Sequence, residues 1–299
     1  MVLVFGTVAV DTTRTPFKVA ERVMGGAASY TALASSFFAR TSVVAAIGTD
    51  YPQKFMDVLR DRVDVSGIAT LPGKSFFYDS SFDMDLSKRT PLATEVGVTA
   101  GYMPELPEAL RKEEYAYMGN SDPSQIIHLL QQLDRPKLTV CDTIRFWIEN
   151  KRPELDKMFG MVDAIIVNDE EARQITGHVN LIKAARKLLA FGPKFAIIKK
   201  GEHGALFFKE NGDFCFPAPA YPLEDIVDPT GAGDSFGGGF VGHVARKGNL
   251  ADFTLKEAVV YGNVMGSFAV EDFSVDRFLS ITPADIEARF EKYRNLVHF

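Results

Sequence analysis

The sequence predicts an α/β fold: a doubly wound, mostly parallel sheet with helices on both faces and a small β-sheet lid. Three observations carry that expectation. Short apolar runs alternate with amphipathic stretches along most of the chain, which is the βαβ signature. Two segments, 12–24 and 66–101, break the alternation, and we read them as the lid. The length of 299 residues, 46% of them hydrophobic, is enough to bury a sizeable core in one domain spanning 1–299.

The elements follow in order. Val2 to Phe5 is apolar, lacks a basic leader and meets Asp11 too soon to be a signal peptide or membrane span, so it is a buried first strand. Ser42 to Ala46, Tyr115 to Met118, Leu138 to Cys141, Ala164 to Val167 and Phe195 to Ile198 are further runs of four or five residues, as buried parallel strands are. Pro52 to Arg62, Ser124 to Leu133 and Leu181 to Leu189 supply helices between them. Within the second interruption, GKSFFYDSSFDMDLSKRTPLATEV reads as two strands joined near Leu86 to Arg89. Its aromatics Phe76, Phe77, Tyr78 and Phe82 argue against a disordered loop. Phe76 and Tyr78 share one side of a strand, which suits packing on the core or on a partner in a homodimer formed through the lid as well as it suits substrate. Past Gly204, strands at Ala205 to Phe208 and Asp213 to Phe216 lead into a helical C-terminal third.

Composition narrows the function. A net charge of -6, with no charge cluster denser than the mixed RKEE of 111–114, argues against a nucleic-acid surface and leaves a small molecule as partner. Two cysteines, Cys141 and Cys215, exclude a disulfide scaffold and fit a reducing cytoplasm. The five histidines, His128, His178, His203, His243 and His298, show no metal-ligand spacing and are read as structural or surface residues.

Chemistry concentrates in Asp225 to Arg246, DIVDPTGAGDSFGGGFVGHVAR. A strand-like DIVD runs into Pro229 and Thr230, and Gly231-Ala232-Gly233 then opens a helix. Gly237, Gly238 and Gly239 sit inside that helix at a cost of about 1 kcal/mol each relative to alanine, a penalty tolerated where a ligand or another backbone must come close. At the helix mouth, free amides of Gly231, Ala232 and Gly233 suit an anion, helped by the helix dipole. Asp234 adds a carboxylate in the first turn. An anion cradle beside a carboxylate is what phosphoryl transfer to a hydroxyl requires.

Three other motif readings fail. Gly233-Asp234-Ser235-Phe236-Gly237 matches the G-x-S-x-G elbow of serine esterases, with Asp272 and His298 in the hydrolase order, but an elbow serine directly follows a strand and here glycines and a proline intervene. Gly237, Gly239 and Gly242 match G-x-G-x-x-G deep inside the helix, where no dinucleotide binds. Gly73-Lys74-Ser75 lacks the glycine that a P-loop needs five positions earlier, where Ile68 stands.

DPTGAGDSFGGGF resembles the C-terminal signature of the ribokinase-like (PfkB) family of carbohydrate and nucleoside kinases, usually D-T-x-G-A-G-D, with Pro229 in place of the common Thr. Gly6 and Asp11, followed by Gly25-Gly26-Ala27-Ala28-Ser29, are similar to its substrate-side motif. Asn168-Asp169-Glu170-Glu171 is similar to its N-x-x-E motif and Lys200 to Gly204 to its nucleotide-side turn, so the correspondence spans about 2–275. The resemblance implies an ATP-dependent phosphotransferase with Asp234 as base for an acceptor hydroxyl and the amides of Gly231, Ala232 and Gly233 as phosphoryl cradle. It implies Asn168 and Glu171 as organisers of Mg²⁺ through its waters, Asp11, Gly25 and Gly26 as acceptor ligands, and Lys199, Gly201 and Gly204 beside the nucleotide. Asp228 and Thr230 occupy the positions where some members hold a monovalent cation such as K⁺. Asn168 with Glu171 is equally a helix capping box, and both roles coexist on one backbone.

One departure bears on substrate. The family often carries Asn five residues after the first glycine of its pair, where this chain has Tyr30. With Asp11 at the end of the first strand gripping neighbouring hydroxyls, Tyr30 and the lid aromatics would offer a flat surface to a base. The expectation is therefore a ribonucleoside phosphorylated at its primary hydroxyl, with a simple sugar or inositol as the alternative.

Overall fold

Strand β1 (Val2–Phe5) shows why the main sheet is covered on both sides: Val2 and Val4 enter one apolar cluster, Leu3 and Phe5 the other. Successive strand residues point to opposite faces, so a strand buried on both must be apolar throughout. In this computed structural model, which describes residues 1–210 and 215–298, β1 lies between β4 (Thr41–Gly48) and β8 (Tyr115–Met118). Beyond β4 comes β5 (Asp64–Leu71), and beyond β8 come β9 (Leu138–Cys141), β10 (Ala164–Asn168) and β11 (Phe195–Lys199), all parallel. Two antiparallel strands, β12 (Ala205–Lys209) and β13 (Cys215–Ala218), finish that edge. The chain thus leaves β1 toward one edge and later toward the other, and ligands of such sheets bind in the crevice outside the carboxyl ends at that switch point.

One face carries α1 (Ala27–Ser36), α2 (Gln53–Arg62), α8 (Ala232–Lys247), α9 (Asp252–Ala269), α10 (Asp276–Ser280) and α11 (Pro283–Val297). The other carries α3 (Pro123–Leu130), α4 (Arg145–Asn150), α5 (Arg152–Phe159), α6 (Asp169–Thr176) and α7 (Leu181–Leu189). A second sheet, in the order β3 (Val19–Gly25), β2 (Ala9–Arg14), β6 (Phe76–Phe82), β7 (Arg89–Glu95), forms the lid. Its strands β6 and β7 join through 83–88, as the sequence leads one to expect.

Three expectations need correction. Residues 66–71 do not begin the lid: they belong to β5, paired with β4, whose half-buried edge position alternates polar and apolar residues and so lacks a continuous apolar run. The lid's first strand starts at Ala9 rather than Thr12 and contains Asp11, which therefore stands within β2 rather than at the end of β1. DIVD forms no strand; instead the Val227 amide donates to the Val270 carbonyl at 2.8 Å and pins an extended loop onto the end of α9. The last strand is Cys215–Ala218, and Asp213 and Phe214, expected at its start, lie outside the described residues.

The glycine run of α8 is explained by its neighbours. A Cβ at Gly237 would lie 2.3 Å from the Tyr117 hydroxyl, one at Gly238 2.3 Å from the Thr31 carbonyl oxygen, and one at Gly239 2.8 Å from the Tyr261 carbonyl oxygen. Three consecutive residues thus face β8, α1 and α9 in turn. Gly238→Ala is expected to destabilise the protein by about 1–3 kcal/mol, in spite of alanine's advantage of ~1 kcal/mol as a helix former, because it overpacks the α1 crossing. Urea unfolding checks this, and a midpoint at or above wild type would mean that α1 moves aside freely.

Candidate active site

The carboxyl ends of β9 and β11, the mouth of α8 and the lid come together, Lys199 reaching Gly233 and Asp142 while Arg89 of the lid acts on Asp234. At the mouth, Gly231 is the N-cap with φ 76°, and a Cβ there would sit 2.3 Å from the Tyr30 ring. Only glycine allows both the left-handed turn and that approach. The Ala232 amide donates to the Pro229 carbonyl at 3.2 Å, whereas no described group accepts from the amides of Gly231 or Gly233. The expected three-amide cradle therefore keeps two open donors.

Asp234 follows one residue inside the helix, its carbonyl accepting from Thr31 Oγ1 at 3.1 Å. Burial, and then the charge of Asp142, push its carboxyl up to about 7, against the opposing pull of Lys199 and Arg89. Lys199, the last residue of β11, reaches the same spot: its ammonium would lie 2.8 Å from a Cβ on Gly233 and donates to Asp142 Oδ2 at 2.8 Å. Burial opposes the ammonium charge, but Asp142, Glu171 and Asp234 outweigh it and raise the Lys199 pKa. Asp142 follows β9, accepts from the Thr143 amide at 2.7 Å and from the Tyr117 hydroxyl at 3.3 Å, and was missed by the sequence reading. Its position directly after an apolar strand, at a carboxyl end, was the available signal.

Asn168 and Glu171 form a complete capping box on α6: Asn168 Oδ1 accepts from the Glu171 amide and Glu171 Oε2 from the Asn168 amide, each at 2.8 Å. Glu171 is buried, and burial together with Asp142 raises its pKa. Lys199 thus bonds Asp142 and acts on Glu171 through its charge, so two buried acidic groups stand near one ammonium. Among the described residues no three His, Cys, Asp or Glu side chains are grouped to hold a metal ion directly. The turn after β11 is closed by the Lys200 amide donating to the Gly204 carbonyl at 2.7 Å. Gly204 (φ 82°) is needed because a Cβ would strike the Ala218 carbonyl oxygen at 2.0 Å, while Gly201 has open space beside it.

On the lid side, the Asp11 carboxyl lies over Gly25, whose Cβ would come within 2.2 Å of it. Asp11 is pushed up to about 6 by burial, against which Arg89 and the Gly26 amide act while Asp228 reinforces it. Gly26, at φ 92°, caps α1 without a side chain. Asp228 Oδ1 accepts from the Thr230 amide at 2.9 Å, but Asp228 Oδ2 and Thr230 Oγ1 are buried and lack partners. Tyr30 departs from expectation: it is 2% exposed with its ring against Gly231, so it packs under the helix mouth and has no open face for a base. The Ser235 elbow also fails, since Ser235 is 0% exposed within the first turn of α8 and its Oγ has no partner. An elbow serine must present its oxygen. Arg89, which entered the sequence reading only as the end of a turn, is the second residue missed; its charge is felt at Asp11, Asp228 and Asp234.

Known proteins resemble this chain in sequence and in fold. The family model of the pfkB family carbohydrate kinases matches residues 11–281. A cytidine kinase of Thermococcus kodakarensis is 32% identical over 248 residues, covering 82% of this chain and 88% of the relative. A nucleoside kinase of Methanothermobacter thermautotrophicus is 26% identical over 270 residues, covering 87% and 82%. Among solved structures, the Burkholderia thailandensis nucleoside kinase in complex with inosine superposes with a TM-score of 0.79 at 20% identity over 98% of each chain. Aminoimidazole riboside kinase from Salmonella enterica, complexed with its riboside and an ATP analog, gives 0.78 at 21% identity over 97% and 99%. These two likenesses speak to the fold.

The raised Asp234 pKa has a consequence for stability. A carboxyl whose folded pKa exceeds its unfolded value stabilises the fold when protonated, below about pH 4, and that contribution is lost as pH rises through about 7. Asp234→Asn is therefore expected to melt above wild type at about pH 8, by on the order of a few degrees, with the gain shrinking as pH falls below about 7. Paired thermal scans at the two ends check it; a variant that melts below wild type at high pH contradicts the sign.

Proposed function

The chain belongs to the pfkB family of carbohydrate kinases and is an ATP-dependent phosphotransferase; we propose that its acceptor is a ribonucleoside, phosphorylated at the primary hydroxyl with Asp234 as base. The observation that carries the proposal is the carboxylate of Asp234 at an open helix mouth with Lys199 beside it and Asp11 across the crevice over Gly25. In this reading the Gly231 and Gly233 amides receive oxygens of the transferred phosphoryl group, where the helix dipole favours negative charge. Lys199 adds a fixed positive charge at the same point. Asp234, whose pKa its surroundings hold at about 7, takes the proton from the attacking hydroxyl as that oxygen bonds to the γ-phosphorus and the bond from phosphorus to the bridging oxygen breaks, releasing ADP. Asp11, its carboxyl supported by the Gly26 amide, accepts from the ring hydroxyls. Gly201, with open space at its Cα, borders the nucleotide, and Gly204 shapes that turn.

Mg²⁺ would be organised through water by Glu171 and Asn168 and, when bound, neutralises phosphate charge. The orphaned oxygens of Asp228 and Thr230 suit a monovalent cation such as K⁺ below the cradle. The nucleoside preference draws on the names of the two relatives, a cytidine kinase and a nucleoside kinase. Since Tyr30 is covered, the stacking surface falls to Tyr78, which stands beside Asp11 in the lid register. Two free cysteines, one of them exposed, fit a cytoplasmic setting. Exposed Leu92 and Val96, at the lid's β7 end, fit a second copy docking there.

Purified protein with Mg-ATP is expected to form ADP only when cytidine, inosine or a related nucleoside is added, and turnover with ribose, fructose or myo-inositol alone would move the assignment to the sugar alternative. Asp234→Asn should lower kcat about 100-fold or more while ATP affinity changes little; a variant retaining a third of wild-type turnover would remove Asp234 from the role. Because the base must be deprotonated, kcat/KM for the acceptor is expected to fall as pH drops below about 7, which a pH profile measures directly.

A further inference from the structure

Arg89 opens strand β7 opposite Phe82 of β6, so its side chain shares the lid face of Tyr78, Ser80 and Phe82. Its Nε donates to the Ser80 Oγ at 2.8 Å, and Ser80 is fully buried. The guanidinium lies 4.6 Å from the Tyr78 ring centroid and 5.7 Å from that of Phe82. Tyr78 is in register with Asp11, which puts this fork over the acceptor end of the crevice. Its Nη2 is buried and has no hydrogen-bond partner. Buried donors are nearly always satisfied, and one left open at the edge of a ligand crevice is completed by what enters. An arginine serving only to staple the lid would spend its donors within the lid; this one is held by Nε and stacking and keeps a donor free.

We propose that Arg89 is the lid's acceptor-recognition residue, donating from Nη2 to an uncharged oxygen or nitrogen of the molecule whose hydroxyls rest on Asp11. The proposal rests on the kinase reading above and adds the chemistry of the part of the acceptor remote from the transferred group. That part is uncharged in this reading: the carboxyl groups of Asp11 and Asp228 already stand against the Arg89 guanidinium, so it has acidic partners and needs no phosphate from the acceptor. A base carbonyl or ring nitrogen of a nucleoside meets the requirement, and so does a ring hydroxyl of a sugar. The stacked planar fork is already oriented, so little freedom is lost on binding.

The test is steady-state kinetics of wild type, Arg89→Met, Arg89→Lys and Ser80→Ala with cytidine, inosine, ribose and fructose as acceptors. A hydrogen bond from a charged donor is worth on the order of ten- to a hundred-fold in affinity. Arg89→Met is thus expected to raise the acceptor KM by about that factor, with kcat within about threefold and the KM for ATP unchanged. Lysine keeps the charge and loses the stacked fork, so Arg89→Lys stays impaired, and Ser80→Ala, which frees Nε, gives a smaller rise in the same direction. Should the methionine variant fail to fold, Ser80→Ala carries the test. An unchanged acceptor KM, a fall in kcat alone, or full recovery in Arg89→Lys overturns the proposal. If wild type uses only ribose or fructose, the ribonucleoside reading fails while Arg89 is still judged by the KM for that sugar. No turnover of any of the four overturns both.

Discussion

Everything at the site depends on how closely α8 can approach its neighbours. Gly237, Gly238 and Gly239 remove three side chains that would strike Tyr117, the Thr31 carbonyl and α9. The helix can therefore sit pressed between β8, α1 and α9, and its mouth is fixed with respect to the sheet. Thr31 adds a hydrogen bond to the Asp234 carbonyl, tying Asp234 itself to α1. The penalty of glycine in a helix interior is small and local, whereas the gain is positional: one rigid contact places the open amides, Asp234 and the Gly231 turn together.

With that helix in place, the electrostatics follow from what the strand ends deliver. β9 brings Asp142, β11 brings Lys199, and the cap of α6 brings Glu171. Three carboxylates crowd a single ammonium, and burial strengthens both the repulsion among them and the attraction to lysine. Such an arrangement is not an optimum for stability. It holds Asp234 close to neutral pH in its proton affinity, a perturbation of the kind that clusters at functional sites.

The lid works by the period of a strand. Asp11, Tyr78, Ser80 and Arg89 fall on one face, while Val10 and Phe77 pack on the other side against a core that includes Met24. A lid built this way can close an acceptor pocket with polar groups and still be anchored by apolar ones. Asp11 then belongs to the lid and, through Gly25 and Gly26, meets the start of α1, where the lid joins the main sheet's helices.

The sequence by itself determined the main sheet, because a strand buried on both faces must be apolar at each position and that signature survives in isolation: the runs at 2, 115, 138, 164 and 195 begin where the strands begin. It also determined the capping box of Asn168 and Glu171 and the glycine-opened helix carrying Asp234, since both are local backbone requirements. What it left undecided is long-range. β5 reads as lid because an edge strand alternates as a lid strand does, and only its pairing with β4 assigns it. Tyr30 reads as a stacking surface until Gly231, two hundred residues later, covers its ring. Asp142 and Arg89 carry no local motif; one matters because β9 and β11 flank β10 and bring Asp142 within reach of Lys199, the other because β7 turns its first residue toward Asp11. Residue spacing records the state of the backbone, while burial, charge neighbours and the direction a side chain faces are set by elements that meet only when the chain has folded.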